Sequence, residues 1–351
     1  MNARRPLRNV VRTQRANQER RGRLAVFAPS PLLTITIEPG SGQPEVHLHP
    51  GGQGFWVARL AVTLGAQVAM CCSLGGEAGT VLKALLESEA LGLRVADGQS
   101  ANGVYIHDRR SGERVEVVNV DGRPQSRHAA DELYGIALAA GLEADVTLLT
   151  GCQPIGFVEA SAYRRLASDL RTNGKLVIAD LTGPPLWAAL EGGIDLLRLS
   201  ADELVGDQLA AGFSRGEIVQ TALRLREAGA QQVLISRASE PAVLIDGGAE
   251  HVYTELAGPA FEAVDHHGTG DSMFAAIGVG LATGKSTIDA LRLGMAAGAL
   301  NATRRGLGTG TREEIERLTS HVLVSRRPVS IGLEMFSRRE AATSAFVTGA
   351  N

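Results

Sequence analysis

Short apolar runs rich in Val, Ile and Leu alternate along this chain with amphipathic segments that have helical spacing. Val146–Thr150, Leu176–Asp180 and Gln232–Ser236 are predicted strands, and segments such as Val158–Thr172 are predicted helices. Strands separated by helices of about 10–15 residues favour a mostly parallel sheet with helices on both faces, which is a doubly wound α/β domain. In such sheets ligands bind at the carboxyl ends of the strands.

Charge divides the chain into a basic arm and an acidic body. Residues 1–23 hold eight arginines and one acid, Glu19, so the arm carries +7 and the rest of the chain −10, for a net charge of −3. An acidic body argues against nucleic acid as the main partner. We expect the arm to be disordered. A start codon placed too far upstream, a contact with RNA or an anionic surface, and a transit peptide are alternative interpretations of it.

Residues 24–323 are predicted to form one domain with a small β projection. Gly103–His107 and Arg114–Asn119 alternate apolar and polar residues around Arg110-Ser111-Gly112, which predicts a hairpin with one polar face. Residues 42–50 and 102–120 together make the predicted lid. Residues 324–351 have mixed polarity without a clear period, and we expect a loosely ordered tail there.

Membrane and redox patterns indicate a cytoplasmic protein. No segment approaches the roughly 18 uninterrupted apolar residues of a membrane span. The three cysteines, Cys71, Cys72 and Cys152, make neither a CxxC pair nor a disulfide framework, which fits a reducing compartment.

The segment Gly268-Thr269-Gly270-Asp271 carries the clearest chemical pattern. It joins the end of a predicted strand to an apolar helix. Glycines let backbone N–H groups converge, and the start of a helix adds its positive dipole end, so the segment predicts an anion pocket. A carboxylate beside that pocket can take a proton from a hydroxyl that attacks a nucleotide γ-phosphate. The alternative is an ordinary helix cap after a glycine turn.

Two separated motifs favour the first interpretation. Gly268-Thr269-Gly270-Asp271 resembles the C-terminal signature of the PfkB/ribokinase family of carbohydrate kinases, and the stretch Gly51–Arg59 resembles its N-terminal G-G-K-G-x-N-V-A-R motif, closest to the 1-phosphofructokinase branch. Asp180-Leu181-Thr182-Gly183 is similar to the D-T-S-G motif of that branch, and Ser200-Ala201-Asp202-Glu203 to N-x-x-E. The order and spacing agree from about Leu33 to Leu323.

The resemblance implies a ribokinase-like fold and transfer of phosphate from ATP, with Mg²⁺, to a hydroxyl of a sugar or sugar phosphate. Asp271 would be the general base, and the amides of Gly268, Thr269 and Gly270 the anion hole. Glu203 would help to hold hydrated Mg²⁺, which prefers oxygen ligands. The remaining implied residues fall into two groups. Contacts with the nucleotide would come from Ser200, Glu203, Ser236, Arg237, Asn301 and Gly308; Gly308 belongs to the glycine-rich segment Gly306–Gly310. Contacts with the acceptor would come from Gly51, Gly52, Gln53, Trp56 and Asn102.

The acceptor end departs from the family pattern. The family's T-L-N-P-A-L-D motif is matched by Thr36–Gly42, so Gly42 stands where the family has an aspartate that binds sugar hydroxyls. The segment between Gly42 and Gly51 is also shorter than is usual in the family. We therefore expect a reduced lid. Gln53 replaces a lysine. Trp56 replaces an asparagine, and its ring could stack on a sugar face. The family's phosphate-contacting arginine has no clear counterpart near Ser100–Asn102, although Arg109, Arg110 and Arg114 follow.

Three functional hypotheses follow from this sequence. The first is an ATP-dependent carbohydrate kinase, and the second is a kinase-fold sensor or pseudo-kinase that binds nucleotide or sugar with little transfer. A dinucleotide-dependent oxidoreductase ranks last, because no strand–Gly-rich–helix unit opens the domain. His47 and His49 share one strand face as a candidate metal pair, but without a third ligand they are better interpreted as polar residues of the lid. The lid could also clasp a homodimer.

Overall fold

The computed structural model describes residues 21–98, 100–247, 252–262, 264–304, 308 and 310–329. The predicted disorder of residues 1–20 lies outside the described residues, as do residues 330–351 of the predicted tail. In chain order the strands are β1 Arg23–Phe27, β2 Leu32–Glu38, β3 Glu45–Gly51, β4 Gln67–Leu74, β5 Gly92–Asp97, β6 Val104–Asp108, β7 Val115–Val120, β8 Val146–Thr150, β9 Leu176–Asp180, β10 Ile194–Ser200, β11 Ala230–Arg237, β12 Glu240–Ile245, β13 Val252–Ala257 and β14 Leu323–Pro328. The helices are α1 Gln53–Thr63, α2 Gly76–Glu87, α3 Arg127–Glu143, α4 Ala160–Thr172, α5 Gly183–Gly192, α6 Ala201–Gly206, α7 Arg215–Glu227, α8 Thr269–Ala282, α9 Thr287–Ala302 and α10 Arg312–Leu318.

Within the described residues, the large sheet has ten strands in the order β14-β13-β12-β11-β10-β9-β8-β1-β4-β5. Strands β11 to β5 in that order are parallel, and β12, β13 and β14 add an antiparallel edge. Successive side chains point to opposite faces of a strand. Leu24 and Val26 of β1 accordingly join one apolar cluster with Phe55 and Phe274, whereas Ala25 joins the other. Helices therefore cover both faces, as predicted.

A separate four-stranded sheet, in the order β3-β2-β6-β7, forms the lid. Strands β2 and β6 pair in parallel, and the other pairs are antiparallel. The predicted hairpin is β6–β7, and every residue of β7 is exposed. The expected bounds of the lid were too narrow, because Leu32–Glu38 is one of its strands. Thr36 lies inside β2 and Gly42 in the β2–β3 turn, and neither residue lines the cleft. Gly42 therefore does not stand at the sugar position that the motif comparison gave it.

The domain limits differ slightly from those expected. Arg23, assigned to the arm, opens β1 and its N–H donates to Asp145 Oδ2 at 2.9 Å. The first residues of the predicted tail form β14, which pairs along β13 from Val252–Pro328 to Ala257–Leu323. This strand has no apolar alternation because it is an exposed edge strand rich in arginine, the kind of strand that tolerates charge. No helix in the described ranges is long and apolar enough to cross a membrane.

Candidate active site

A cleft of about 360 Å³ opens at the carboxyl ends of β1, β8 and β9, where a doubly wound sheet binds its ligands. The starts of α1 and α8 form its other walls. The polar residues that line it include Ser30, Gln53, Thr182 and three carboxylates, Asp180, Glu203 and Asp271. The predicted base therefore faces a cleft, and two further acids stand with it.

Helix α8 begins at the glycine turn that was predicted from the sequence. Gly268, at φ 70°, is its left-handed N-cap, a conformation that glycine adopts readily. Thr269 N donates to His266 O at 3.4 Å, so its amide already has an acceptor. The N–H groups of the first helical turn have no acceptor within the helix, so those of Gly270 and Asp271 remain for a ligand. Of the three amides expected from sequence, that of Thr269 therefore already has a partner within the protein, and the anion hole made by Gly268, Thr269 and Gly270 stays a prediction.

The loop before α8 is held from both sides. Asn301 of α9 is fully buried, and its Nδ2 donates to His267 O at 2.8 Å. The ring Nδ1 of His267 lies 2.6 Å from Asp265 Oδ1. Asn301 was expected to contact a nucleotide. In the structure its amide group binds the backbone of His267, just before helix α8.

Arg198, which sequence analysis did not identify, lies beneath the pocket. It is only 6% exposed, and its Nη1 pairs with Asp180 Oδ2 at 3.0 Å and lies 3.7 Å from Glu203 Oε2. Its Nη2 donates to Ser236 Oγ at 2.9 Å. Arg198 ends in the middle of three carboxylates that come from different elements. Only the order of the strands brings these residues together, which is why no local motif announced them.

Gly270 has to be small because Arg198 touches it. A Cβ atom built on Gly270 would lie 2.5 Å from Arg198 Nη1 and 2.8 Å from Cζ. These distances are far shorter than a normal van der Waals contact. The glycine therefore serves close packing of the guanidinium against the first turn of α8.

The carboxylates perturb one another. Burial is the main cause that raises the pKa of Asp271 to about 7; the carboxylates of Asp180 and Glu203 raise it further, and Arg198 opposes them. Burial likewise raises the pKa of Asp180 to about 6, against the attraction of Arg198. A carboxyl with a pKa near 7 can both accept and release a proton at neutral pH, as general acid–base catalysis requires.

Ser200 and Glu203 form a capping box at the start of α6. Ser200 Oγ accepts from Glu203 N at 3.2 Å, and Glu203 Oε2 accepts from Ser200 N at 2.6 Å. The Glu203 side chain is 35% exposed and still reaches the cleft. Its local role in the helix cap and a role towards a ligand are therefore compatible.

The glycine-rich start of α1 borders the cleft as expected. Gly52, at φ 91°, caps the helix, and Gln53 Oε1 accepts from Gly151 N at 2.7 Å while its Nε2 donates to Asp180 O at 3.4 Å. Gln53 thereby ties the ends of β8 and β9 together inside the cleft. Gly51 lies at the end of β3, where a Cβ would meet Thr34 Oγ1 at 2.2 Å.

Two of the expected acceptor contacts lie elsewhere. Trp56 is 8% exposed and packs against Phe55, with ring centroids 4.9 Å apart, and against Gly308. Its ring is therefore packed within the apolar core. Asn102 is 4% exposed, and its amide binds Gly75 N, Pro31 O and Ser73 O. All of its bonds hold loops together, and neither Trp56 nor Asn102 is among the residues that line the cleft, so the acceptor contacts expected of them stay predictions without support from the cleft.

The other predicted nucleotide contacts are occupied within the protein. Ser236 Oγ accepts from Arg198, as described above. Arg237 has a side chain only 9% exposed that lies 3.9 Å from Glu240 Oε2 and donates to Pro241 O at 3.4 Å. Gly308 has a φ of 60°, and a Cβ atom added to it would lie 3.3 Å from Trp56 O. The rest of Gly306–Gly310, apart from Gly310, lies outside the described residues.

The two lid histidines His47 and His49 have different partners in the structure. His47 is exposed beside Glu45, 3.4 Å away, whereas His49 contacts Thr36 at 2.9 Å. Among the described residues, no group of three or more His, Cys, Asp or Glu side chains is arranged to hold a metal ion directly.

Comparisons with known proteins show the family and the fold of this chain. The model of the pfkB family carbohydrate kinases matches residues 35–314. ATP-dependent 6-phosphofructokinase isozyme 2 of Mycobacterium tuberculosis is 29% identical over 91% of this chain and 94% of its own length, and 1-phosphofructokinase of Escherichia coli is 24% identical over 78% and 87%. Phosphofructokinase-2 from Escherichia coli superposes with a TM-score of 0.71 at 23% identity, covering 86% of this chain and 99% of that one. Arabidopsis thaliana ribokinase superposes with a TM-score of 0.65 at 22% identity, covering 85% and 99%. These similarities confirm the predicted ribokinase-like fold.

Proposed function

Because this chain belongs to the pfkB family of carbohydrate kinases, and is an enzyme that transfers phosphate from ATP to a sugar, we propose that Asp271 is the base of that reaction and the amides of Gly270 and Asp271 its anion hole. The observation that carries this proposal is the position of Asp271, which faces the cleft in the first turn of α8 with a pKa raised to about 7. The alternative of a sensor without transfer is not favoured by the family match.

The chemical step uses groups that the cleft supplies. A hydroxyl of the acceptor attacks the γ-phosphorus of ATP; the new O–P bond forms as the bond from phosphorus to the oxygen of ADP breaks. The hydroxyl proton passes to the Asp271 carboxylate. The helix-start amides stabilise the negative charge of the phosphoryl group in transfer, as preorganised donors do in a water-poor site.

The set of donors suits Mg²⁺. Three carboxylates, Asp180, Glu203 and Asp271, lie around the buried guanidinium of Arg198 and leave the cleft with an excess of negative oxygen ligands. Mg²⁺ keeps several of its waters and binds through few carboxylates together with substrate phosphates. We assign Glu203 to hold the hydrated ion through water. Bound there, Mg²⁺ would neutralise the phosphate charge, while the protein groups orient the acceptor and take its proton.

The experiment that tests the role of Asp271 compares Asp271→Asn with Asp202→Asn. Asp202 is an exposed acid in the first turn of α6, next to Glu203. We expect Asp271→Asn to lower kcat by about 10²–10⁴-fold, because it removes the base, with the Kd of ATP changed less than about 3-fold. Asp202→Asn should keep wild-type turnover. Release of ADP with fructose 6-phosphate and fructose 1-phosphate is the readout, and wild-type turnover by Asp271→Asn refutes the assignment.

The outer face of the lid supports a homodimer. Six large apolar side chains there are at least 40% exposed: Val46, Leu48, Val115, Val117, Val118 and Val120. An exposed apolar patch on one sheet is typical of a protein interface. One structural neighbour, phosphofructokinase-2 from Escherichia coli, is described in a tetrameric inhibited form. We expect a dimer by light scattering, which Val118→Lys converts to monomer; a monomeric wild type refutes this part of the proposal.

The three unpaired, buried cysteines fit a cytoplasmic location.

A further inference from the structure

The carboxylate of Asp265 connects the lid with the turn that begins helix α8. Asp265 lies three residues before Gly268, the N-cap of that helix, and its side chain is 17% exposed. Its two oxygens face different parts of the protein. Oδ1 accepts hydrogen bonds from His267 in the turn, whereas Oδ2 lies 4.0 Å from Nη2 of Arg109 in the lid.

On the side of the turn, Asp265 holds the backbone that leads into α8. His267 N donates to Asp265 Oδ1 at 3.0 Å, and the ring Nδ1 of His267 lies 2.6 Å from the same oxygen. An aspartate side chain that binds the N–H two residues later closes a local turn. The main chain of Asp265 has its own anchor, since its N–H donates to Ala302 O at 3.2 Å. A movement of the Asp265 side chain therefore acts on His267, the residue directly before Gly268.

On the side of the lid, Arg109 follows strand β6 in the turn of the hairpin. Its N–H donates to Ile37 O at 2.8 Å, which fixes its main chain against β2. Its side chain is 23% exposed, and its Nε is buried without a hydrogen-bond acceptor in the described part of the chain. Burial opposes the ionisation of Asp265, but the hydrogen bonds from His267 and the charge of Arg109 lower its pKa below the ordinary value. Both partners are therefore charged at neutral pH.

The next residue of the lid, Arg110, has a different partner. Its side chain is 53% exposed, and its Nη2 lies 2.6 Å from Oδ2 of Asp108, on the adjoining strand β6. This ion pair lies within the lid. Of the two adjacent arginines, Arg109 thus reaches from the lid to the turn, whereas Arg110 does not.

We propose that Asp265 is a positioning residue that makes the geometry of the anion hole depend on the position of the lid. With Arg109 beside Oδ2, Asp265 holds His267 in the conformation from which the N–H groups of Gly270 and Asp271 follow. A lid displaced from this position takes the cation away from Asp265 and leaves the turn with one contact fewer. The effect on catalysis rests on the proposed function, whereas the effect on the turn does not.

This role differs from a contribution to overall stability. An ion pair that is partly exposed contributes little to the free energy of unfolding. The amides of an anion hole, in contrast, act only when they lie at hydrogen-bond distance from the group in transfer. Loss of the pair between Arg109 and Asp265 should therefore change the turnover and the mobility of the turn at a nearly constant melting temperature.

The test compares Arg109→Gln, Asp265→Asn and their double variant with Arg110→Gln in the full chain. Asparagine keeps an oxygen for the N–H of His267 and removes the charge that faces Arg109. Arg110→Gln removes the adjacent lid charge, whose partner is Asp108. Steady-state kinetics with ATP and fructose 6-phosphate or fructose 1-phosphate gives kcat and KM. Hydrogen exchange, followed by mass spectrometry, reports on the amides of residues 264–271 without any turnover.

We expect Arg109→Gln and Asp265→Asn each to lower kcat by about 5–30-fold, which is less than the roughly 100-fold loss when reacting groups are misplaced by about 1 Å. KM for ATP should change less than about 2-fold. The double variant should lose no more than the more impaired single variant, because both substitutions remove the same ion pair. Arg109→Lys should recover most of the lost activity, because a contact at 4.0 Å needs the charge rather than a paired fork of donors.

Hydrogen exchange should show the same dependence. We expect the amides of residues 264–271 to exchange about 3–10-fold faster in Arg109→Gln and in Asp265→Asn, because the turn opens locally more often. Arg110→Gln should keep the wild-type exchange rates and kcat, since its ion pair lies within the lid.

Additive losses of kcat in the double variant overturn the proposal, and so does a kcat of Arg109→Gln equal to that of Arg110→Gln. Wild-type exchange of residues 264–271 in Asp265→Asn overturns it as well. Because exchange needs no catalysis, that failure is distinct from an active Asp271→Asn enzyme, which would overturn the proposed base.

Discussion

Replacing Gly270 with alanine tests whether the packing of Arg198 sets the geometry of the anion hole. The added Cβ would lie 2.5 Å from Arg198 Nη1 and 2.7 Å from Nη2. The end of a long side chain usually moves aside easily. Here it is buried and fixed by Asp180 at 3.0 Å and Ser236 at 2.9 Å, so a shift of the guanidinium by about 1 Å stretches both bonds.

The expected magnitude follows from the two ways in which the clash can be relieved. Overpacking a well-filled site costs about 1–3 kcal/mol, and each strained hydrogen bond to a charged group up to about 1.5–3 kcal/mol. The better helix propensity of alanine returns up to about 1 kcal/mol. We therefore expect a net loss of about 2–4 kcal/mol in the free energy of unfolding. If the first turn of α8 moves instead, its amides are displaced by about 1 Å, a misplacement that lowers kcat by about 10²-fold.

Chemical denaturation and steady-state kinetics measure the two effects, and Gly135→Ala is the matched control. Gly135 lies in α3 with no atom near the position of an added Cβ, so this substitution should stabilise the protein by about 0.5–1 kcal/mol. Gly270→Ala with the stability gain of the control and full activity would refute the argument that Arg198 requires a glycine there.

Three further predictions concern the charges of the cleft. First, kcat/KM should rise about tenfold per pH unit below about pH 6 and level off above about pH 8, because Asp271 must be ionised and its pKa is about 7. Asp180→Asn should move this rise in kcat/KM to lower pH, because the carboxylate of Asp180 raises the pKa of Asp271. A flat profile from pH 5.5 to 9 would contradict the assignment. Second, the free energy of unfolding of Asp271→Asn should exceed that of the wild type by about 1–3 kcal/mol at pH 8 and equal it near pH 4. The raised pKa of Asp271 penalises the charged carboxylate only above its ordinary pKa, and a rise of the pKa from 3.8 to about 7 allows at most about 4 kcal/mol. Melting temperatures at both pH values check this sign. Third, Arg198→Met should lower the free energy of unfolding by about 3–5 kcal/mol, because it leaves buried carboxylates without their cation. It should also move the rise in kcat/KM to higher pH, because Arg198 lowers the pKa of Asp271. A wild-type denaturation midpoint would show that Arg198 is dispensable.

Features within a few residues of one another were predictable from sequence. The alternation of strands and helices gave the doubly wound sheet because burial on both faces requires that pattern. The turn Gly268–Asp271 was identified because the atoms of an anion pocket at a helix start come from consecutive residues. The edge strand β14 was missed because an exposed strand needs no apolar pattern.

Contacts between distant segments were not predictable. Arg198 and Asp180 lie on neighbouring strands, and no single segment shows that they meet beneath Gly270. Trp56 and Asn102 looked available to a sugar because sequence does not reveal which side of a helix or loop is covered.

The chain by itself thus determined the class of fold, the position of the turn proposed to be catalytic and the kind of chemistry proposed for it, since each depends on local backbone geometry and hydrophobic period. Tertiary structure decided which polar groups are already satisfied by the protein and which remain open. Asn102 has all of its amide bonds within the fold, whereas His107 retains a buried nitrogen without a partner. The physical reason is that a polar side chain in the core finds a hydrogen-bond partner only where the fold brings the two groups together, and here those groups lie on strands and loops far apart in sequence.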